Sequence, residues 1–234
     1  VDVAERCGGK VTKVEGEWGR ALSADAFRAA ADGRAFRVLA VVHAETSTGV
    51  LQDLGPIREV ADECGALLVV ACVTSLGGHR LSLDEQGVDA AYSGTQKCLG
   101  VPPGLGPITF SEKAMDRIRT RGPSPWRWYL DVSLLAGYLG SERKYHHTAP
   151  INRVYALHEG LRLIREEGLD ARYARHARVG RRLQEALVER GFRLFAQEGH
   201  RLPQLTSALL PDGIAEGPLR RRILDEFGIE IGGG

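Results

Sequence analysis

The chain has 234 residues and a mass of 25.5 kDa, with 43% hydrophobic and 26% charged residues and a formal net charge of +1. This composition is that of an average globular domain, and it excludes a disordered, collagen-like or disulfide-stapled chain. No apolar run approaches the roughly 20 residues that a membrane-spanning helix needs, so we expect no membrane partner.

Both ends of the sequence have the pattern of an internal piece of a longer protein. The only methionine is Met115, and the first residues, Val1–Arg6, carry no basic, apolar or cleavage region of a signal peptide. The chain stops directly after a predicted strand at Ile229–Ile231. We therefore expect a chain that is truncated at both ends.

The first 150 residues alternate short apolar strands with helical patterns. The predicted strands are Phe36–His43, Ala66–Val73, Val88–Tyr92 and Pro107–Phe110. A helix over Leu54–Cys64 separates the first two strands, and another begins at Ser111 as its N-cap. Uniformly apolar strands joined by helices predict an α/β fold, with a mainly parallel sheet covered by helices on both faces.

After Pro150 the pattern changes to long amphipathic helices and a few short strands. Helices are predicted over Asn152–Glu167, Leu169–Arg190 and Leu219–Phe227, and strands over Phe192–Phe195, Thr206–Leu210 and Ile229–Ile231. We interpret residues 1–150 as a large domain that lacks its N-terminal part. Residues 151–234 form connecting helices and an incomplete α+β C-terminal domain.

The second half of the chain is rich in arginine, which raises the question of nucleic-acid binding. Glutamates and aspartates interleave with these arginines, and aromatic stacking positions are few, so the pattern indicates a solvated helix face and no nucleic-acid partner. The arginines are Arg162, Arg165, Arg172, Arg175, Arg178, Arg181 and Arg182.

The four cysteines (Cys7, Cys64, Cys72 and Cys98) are too few and too scattered for a disulfide framework, and none forms a C-x-x-C pair. Reduced thiols are the better interpretation, which predicts a cytoplasmic protein.

Three loops rich in small and hydroxyl-bearing residues follow the first three strands: 43–49, 74–78 and 93–104. Because ligands of such sheets bind outside the carboxyl ends of the strands, we expect the three loops to meet at one edge. Their backbone N–H groups and hydroxyls suit an anion such as phosphate.

Lys97 is the most informative residue at that edge. Only five of the 31 basic residues are lysines, and Lys97 has no acidic neighbour in the sequence. A lysine at a strand end is the residue that a Schiff base needs, because its amine condenses with an aldehyde. On position alone, a loop lysine paired with a remote carboxylate remains the alternative.

Several sequence blocks, taken in order and spacing, add to this interpretation. They are HAETSTGVLQ (43–52), SLGG (75–78), YSGTQK (92–97), PPG (102–104), WYLD (128–131), YHHTAP (145–150) and IEIGGG (229–234). With these blocks the chain resembles the fold-type-I pyridoxal-phosphate enzymes, and within them the alanine–glyoxylate and serine–pyruvate aminotransferase family. The resemblance implies a pyridoxal 5′-phosphate cofactor and transfer of an amino group from alanine or serine to glyoxylate or pyruvate.

The resemblance also implies roles for individual residues. Lys97 would form the Schiff base with the cofactor and then carry the proton between the substrate and the cofactor. Thr46 would lie beside the cofactor ring, Val73 would pack on the ring face, and Gln96 would hydrogen-bond the phosphate.

The YHHT segment implies a second subunit. By resemblance, Tyr145 and Thr148 would reach the phosphate of the neighbouring subunit, so the active site would be shared within a homodimer. A polar turn before a helix is the plainer interpretation of the same residues. The adjacent histidines, His146 and His147, have no carboxylate at ligand spacing, so we expect no metal site.

One position departs from the family pattern. The family has an aspartate facing the pyridine nitrogen two residues before the ring-packing valine, and this chain has Ala71 there. Alanine cannot keep the nitrogen protonated, so a catalytically impaired pseudoenzyme or fragment is one alternative. A pyridoxal-phosphate-dependent lyase or desulfurase of the same fold, with Cys98 as a nucleophile, is another.

Overall fold

The computed structural model describes residues 1–122, 127–141 and 143–233. Gly234, the last residue of the IEIGGG block, lies outside the described residues. The helices are α1 (Asp2–Arg6), α2 (Ala24–Ala31), α3 (Gly55–Glu63), α4 (Glu112–Thr120), α5 (Val132–Leu139), α6 (Ile151–Glu167), α7 (Leu169–Glu189) and α8 (Glu216–Phe227). The strands are β1 (Val38–Val42), β2 (Leu67–Ala71), β3 (Ala90–Tyr92), β4 (Ile108–Phe110), β5 (Arg193–Leu194) and β6 (Ala208–Leu209).

The first four strands form one sheet in the order β1-β2-β3-β4. Strands β1, β2 and β3 are parallel, with Val42 beside Ala71 and Ala71 beside Tyr92 at their carboxyl ends. Strand β4 pairs antiparallel with β3. The prediction of a mainly parallel sheet is therefore confirmed, and the three parallel strands end at a common edge.

One face of this sheet packs on α2 and α3. Pro56 is the second residue of helix α3, and it suits this first turn because its missing N–H would have no intrahelical partner there. Its Ile57 and Val60 pack with Leu68 and Val70 of β2, and all four side chains are essentially inaccessible to solvent. Apolar burial of this kind is the main favourable term in folding and anchors the strands that carry the site.

The opposite face of the sheet is open. Val38 is 49% exposed, Val42 44%, Tyr92 48% and Ile108 52%. A groove of about 1210 Å³ runs over this face, between β1 and the residues before α2. The prediction of helices on both faces is thus wrong for the part of the chain that the structure describes.

Helices α6 and α7 pack against the loops that follow the sheet strands and against the segment before β6. The chain turns between the two helices at Gly168, whose φ of +80° favours glycine. A Cβ at Gly160 of α6 would lie 3.0 Å from the Leu99 carbonyl oxygen, and a Cβ at Gly180 of α7 would lie 2.0 Å from that of Pro203. Both helices approach these segments closely only because glycine has no side chain.

Local sequence signals account for several boundaries, with one clear exception. The Ser111 hydroxyl accepts a hydrogen bond from the Ala114 N–H at 3.1 Å, which confirms the predicted N-cap of α4. The predicted strand at Ile229–Ile231 is wrong, because these residues are irregular. The Ile231 carbonyl accepts from the Arg220 side chain at 2.7 Å, and no strand pairs with it among the described residues.

Candidate active site

The three predicted loops meet at the carboxyl edge of the sheet. In the structure they begin at His43, Cys72 and Ser93, the residues that directly follow β1, β2 and β3, so the second loop begins two residues before its predicted start at Thr74. Each continues the sheet by one backbone hydrogen bond: His43 N–H donates to Ala71, Cys72 N–H donates to Tyr92, and Ser93 N–H donates to Pro107. The loops are therefore fixed to the sheet before they diverge.

Side-chain hydrogen bonds join the first two loops. The Thr46 and Thr74 hydroxyls are 2.5 Å apart, and His43 Nδ1 lies 2.8 Å from the Ser75 hydroxyl. Because Ser75 donates to the Cys72 carbonyl, its oxygen accepts from His43, so Nδ1 of His43 carries the proton. Burial lowers the pKa of His43 to about 4, and the ring is neutral at physiological pH.

The third loop carries Lys97 in a closed turn. The Gly100 N–H donates to the Lys97 carbonyl at 2.9 Å, and the buried Thr95 hydroxyl donates to the Pro102 carbonyl at 2.8 Å. The Cys98 thiol donates to the Thr74 carbonyl of the second loop at 3.5 Å. The turn is thus held at both its base and its side, next to the Thr46–Thr74 pair.

The Lys97 ammonium itself makes no hydrogen bond or ion pair with the described part of the chain, and its side chain is exposed. Lys13 and Lys113, by contrast, lie 2.5 Å from Glu15 and 3.9 Å from Asp89. An amine without a carboxylate partner is available for reaction with a bound molecule. The alternative of a remote carboxylate partner finds no support among the described residues.

The other predicted residues at this edge differ in how exposed their side chains are to solvent. Thr46 and Val73 are half-buried in the first two loops, whereas Gln96 is exposed and folds back towards Gly94. Ala71 ends β2 and is buried beside Val42. Its methyl group offers no donor or acceptor to a bound molecule.

Tyr145 and Thr148 lie in a separate segment after α5. Their hydroxyls are 3.0 Å apart, both side chains are exposed, and within the described chain neither hydroxyl bonds to the three loops. The segment is anchored by His146, which is buried, stacks on Trp128 at 3.9 Å between ring centroids and bonds to the Trp128 carbonyl at 3.1 Å. The sequence predicts that these two hydroxyls serve a neighbouring subunit, and in the structure they make no hydrogen bond with the Lys97 turn of their own described chain.

Two residues that the sequence pattern does not single out contact the edge from the C-terminal part of the chain. The Gln204 amide donates to the Thr74 carbonyl at 2.8 Å, and the Arg172 guanidinium donates to the Gly77 and Cys98 carbonyls. The prediction that Arg172 belongs to a solvated helix face is wrong, because its side chain is only 15% exposed. The alternation of arginine and glutamate in the sequence contains no signal for these tertiary contacts.

No group of three or more histidine, cysteine, aspartate or glutamate side chains is placed to hold a metal ion in residues 1–122, 127–141 and 143–233. His146 and His147 instead face each other, with their Nδ1 atoms 2.9 Å apart. Over the same ranges, the helices are all too short or too polar to cross a bilayer.

Comparison with known proteins gives consistent matches. The sequence pattern that defines the class-V aminotransferases matches residues 1–234. The alanine–glyoxylate aminotransferase of Oryctolagus cuniculus is 41% identical over 201 residues, which are 84% of this chain and 51% of that protein. The (S)-ureidoglycine–glyoxylate transaminase of Bacillus subtilis is 36% identical over 98% of this chain and 60% of its own length.

A solved structure extends the similarity to the backbone. The alanine–glyoxylate aminotransferase from Nostoc sp. superposes with a TM-score of 0.93 and 45% identity, covering 100% of this chain and 62% of that chain. The chain thus spans less than two thirds of the length of each of these proteins.

Proposed function

Because the chain belongs to the class-V aminotransferase family, we propose that it binds pyridoxal 5′-phosphate through Lys97 and transfers an amino group from a small amino acid to a 2-oxo acid. The donor would be alanine or serine and the acceptor glyoxylate or pyruvate. Glyoxylate appears in the names of the similar proteins from Oryctolagus cuniculus, Bacillus subtilis and Nostoc sp.. The observation that carries the proposal is the unpaired Lys97 amine at the edge where three loops meet.

The residues of the edge fit the aldehyde and the phosphate of this cofactor. The free amine of Lys97 suits the aldehyde, and Gln96 and the hydroxyl of Thr46 are neutral polar groups that suit a phosphate or a ring oxygen. Val73 is a half-buried apolar side chain that suits the face of a ring. Ala71 does not fit the pyridine nitrogen, because it supplies no carboxylate.

When bound, the cofactor supplies a carbonyl carbon that takes up the amino group and a ring that withdraws electrons from the substrate Cα. Lys97 would accept the proton from Cα and pass it on to the cofactor carbon that takes up the amino group, since it is the basic side chain of the closed turn. The Thr46–Thr74 hydrogen bond keeps the first two loops together beside the turn that carries Lys97. His43, neutral with a pKa of about 4, orients Ser75 without adding charge to the edge.

A second copy of the chain would complete the site. The hydroxyls of Tyr145 and Thr148 are exposed and hydrogen-bonded to each other, and the buried His146 anchors their segment, which supports their use by a neighbouring subunit. Exposed leucines of α5, Leu134 and Leu139, give that region an apolar surface suited to a homodimer. Sedimentation velocity would test this proposal, with a monomer at micromolar concentration as the contradicting result.

The compartment and the domain boundary are also proposals. All four cysteines are free, and Cys72 is buried, which supports a reducing compartment such as the cytoplasm. The segment between α5 and α6, whose described residues form no helix or strand, supports a boundary near residue 150, with residues 1–150 as the large domain.

The decisive test is visible absorbance after pyridoxal 5′-phosphate is added to the chain. We expect a new band with the wild-type chain, none with Lys97→Ala, and an unchanged band with Lys10→Ala, a matched change at another exposed lysine. Amino transfer from alanine to glyoxylate then tests the activity. An unchanged band in Lys97→Ala would refute the assignment of the lysine.

Ala71 supports a second candidate, a protein that binds the cofactor but transfers amino groups slowly. If so, Ala71→Asp should raise the rate of a single turnover by at least about tenfold, equivalent to about 1.4 kcal/mol in the barrier. Ala71→Asn is the matched control, because it adds a similar volume without the charge. Equal rates for the Ala71, Asp and Asn forms would contradict this role of position 71.

No observation favours a lyase or desulfurase. Burial raises the pKa of the Cys98 thiol, against the opposing effects of Arg172 and Lys97, and the thiol donates to the Thr74 carbonyl. A protonated, hydrogen-bonded thiol is a poor nucleophile.

A further inference from the structure

Arg172 contacts the carboxyl edge of the sheet from helix α7, through the nitrogens of its guanidinium. Its Nε donates to the Gly77 carbonyl at 2.8 Å, its Nη2 to the Cys98 carbonyl at 2.6 Å, and its Nη1 to a Glu167 carboxylate oxygen at 2.9 Å. All three nitrogens of the guanidinium are therefore occupied. Such a planar fork can hold two carbonyl groups in a fixed relation, which a single ammonium cannot.

The corner between α6 and α7 delivers Arg172 to this place. Gly168 turns the chain, so that the first turn of α7 faces back to Glu167, the last residue of α6. Hydrogen bonds from Arg175 and Arg172 lower the pKa of Glu167 to about 2, so this carboxylate stays ionised. The ionised carboxylate holds both guanidinium groups, but only that of Arg172 continues to the loops.

The two carbonyls that Arg172 holds belong to different loops of the site. Gly77 lies within the 75–78 turn, which the Gly78 N–H closes by donating to the Ser75 carbonyl, and Cys98 directly follows Lys97. The Lys97 side chain has no partner among the described residues, so its place depends on its backbone. Helix α6 supports the same turn from below, where Gly160 allows close contact with it.

We propose that Arg172 is a positioning residue that fixes the Lys97 turn against the 75–78 turn. This inference rests on the proposed function, since it concerns how Lys97 is presented to the cofactor. A guanidinium between two carbonyls keeps the two turns at one separation. Without it, the distance between the Lys97 amine and the neighbouring loop varies, so the two no longer contact a bound molecule in a fixed arrangement.

The chain offers a matched control at Arg175. This arginine pairs with the same Glu167 carboxylate at 2.5 Å but touches neither loop carbonyl. We expect Arg172→Met to weaken pyridoxal 5′-phosphate binding, measured by absorbance, by at least about tenfold, and Arg175→Met to change it by less than about twofold. Arg172→Lys should fall between them, because an ammonium can hold only one of the carbonyls firmly.

Amide hydrogen exchange of the chain without cofactor gives a second readout that does not depend on activity. The Gly100 amide closes the Lys97 turn, and it should exchange at least about tenfold faster in Arg172→Met than in Arg175→Met. The midpoint of urea unfolding should be similar in the two variants, which separates this local effect from a global loss of stability. Agreement of the two variants in both cofactor affinity and Gly100 exchange would overturn the proposal and leave the proposed function intact. If the wild-type chain binds no cofactor, the proposed function fails, and equal Gly100 exchange in the two variants would overturn the positioning role as well.

Discussion

The close approach of α7 to the segment before β6 predicts a large effect of a single methyl group. Gly180 is buried, and a Cβ added there would lie 2.0 Å from the Pro203 carbonyl oxygen, 2.8 Å from its carbonyl carbon and 3.1 Å from its Cα. Ordinary contact begins at 3.4 Å, so the helix or the segment must shift by about 1.4 Å, the difference between 3.4 and 2.0 Å. Because the obstacle is backbone, no rotamer change can relieve it.

The expected free-energy change follows from two opposing effects. Overpacking costs about 1–3 kcal/mol and here belongs at or above the upper end of that range. Alanine gains about 1 kcal/mol over glycine in a helix interior. We therefore expect Gly180→Ala to lower the free energy of unfolding by about 2 kcal/mol. The shift should also disturb Gln184, whose amide donates to the Leu202 carbonyl at 3.3 Å.

Urea unfolding followed by circular dichroism measures this change, and α5 supplies the control. Gly137 is also a helical glycine, but nothing lies within 4 Å of its Cβ position. Gly137→Ala should raise the urea midpoint slightly, because alanine in a helix interior adds up to about 1 kcal/mol to the free energy of unfolding. If Gly180→Ala unfolded at the same urea concentration as Gly137→Ala, the close packing of α7 on Pro203 would be refuted.

Two further predictions concern ionisable groups outside the Lys97 turn. Burial lowers the pKa of His43 from 6.5 to about 4, so the unfolded chain binds more protons than the folded chain between these pH values. The free energy of unfolding should therefore be highest above pH 6.5 and should fall towards pH 4, by as much as about 3 kcal/mol. His43→Gln should flatten that dependence in urea titrations between pH 4 and 7, and an unchanged slope would contradict it. Asp89, 6% exposed, accepts from Arg58 at 2.8 Å and from the Leu68 N–H at 2.9 Å, so Asp89→Asn should cost about 3 kcal/mol in urea unfolding because it removes the buried charge that pairs with Arg58. Asp62→Asn removes the exposed partner of the same arginine and should cost less than about 1 kcal/mol; equal costs would show that burial does not decide the effect.

The parts of the fold that the sequence predicts well are those with strong local patterns. Helices α6 and α7 lie within one residue of their predicted ranges, because their amphipathic periodicity continues over several turns and stops at Gly168. Strands β1 and β2 are uniformly apolar and were predicted with one or two extra residues at each end. Helix α5 is not predicted by its sequence, since Val132–Leu139 is apolar at nearly every position and has no helical period.

The candidate site also has a part that the sequence predicts and a part that it does not. The convergence of the three loops follows from parallel strand order alone. In the structure His43 bonds to Ser75 between the first two loops, and Cys98 bonds to Thr74 between the second and the third. The role of Arg172 could not be predicted, because its helical neighbours form the alternating charges of an exposed surface. Only the corner at Gly168 decides which arginine turns inward, and that is a tertiary property.

The open face of the sheet has a consequence for how copies of this chain associate. Strand β1 is at one end of the strand order, so its outer edge pairs with no other strand among the described residues. Its sequence VLAVV has neither charge nor proline to block pairing with another chain. Contact between this edge of one copy and the β4 edge of the next would repeat from copy to copy and produce particles that grow with concentration, whereas a two-fold dimer stops at two. A charged residue at Val38, on this face of the edge strand, should suppress the open-ended assembly and leave a closed dimer unaffected.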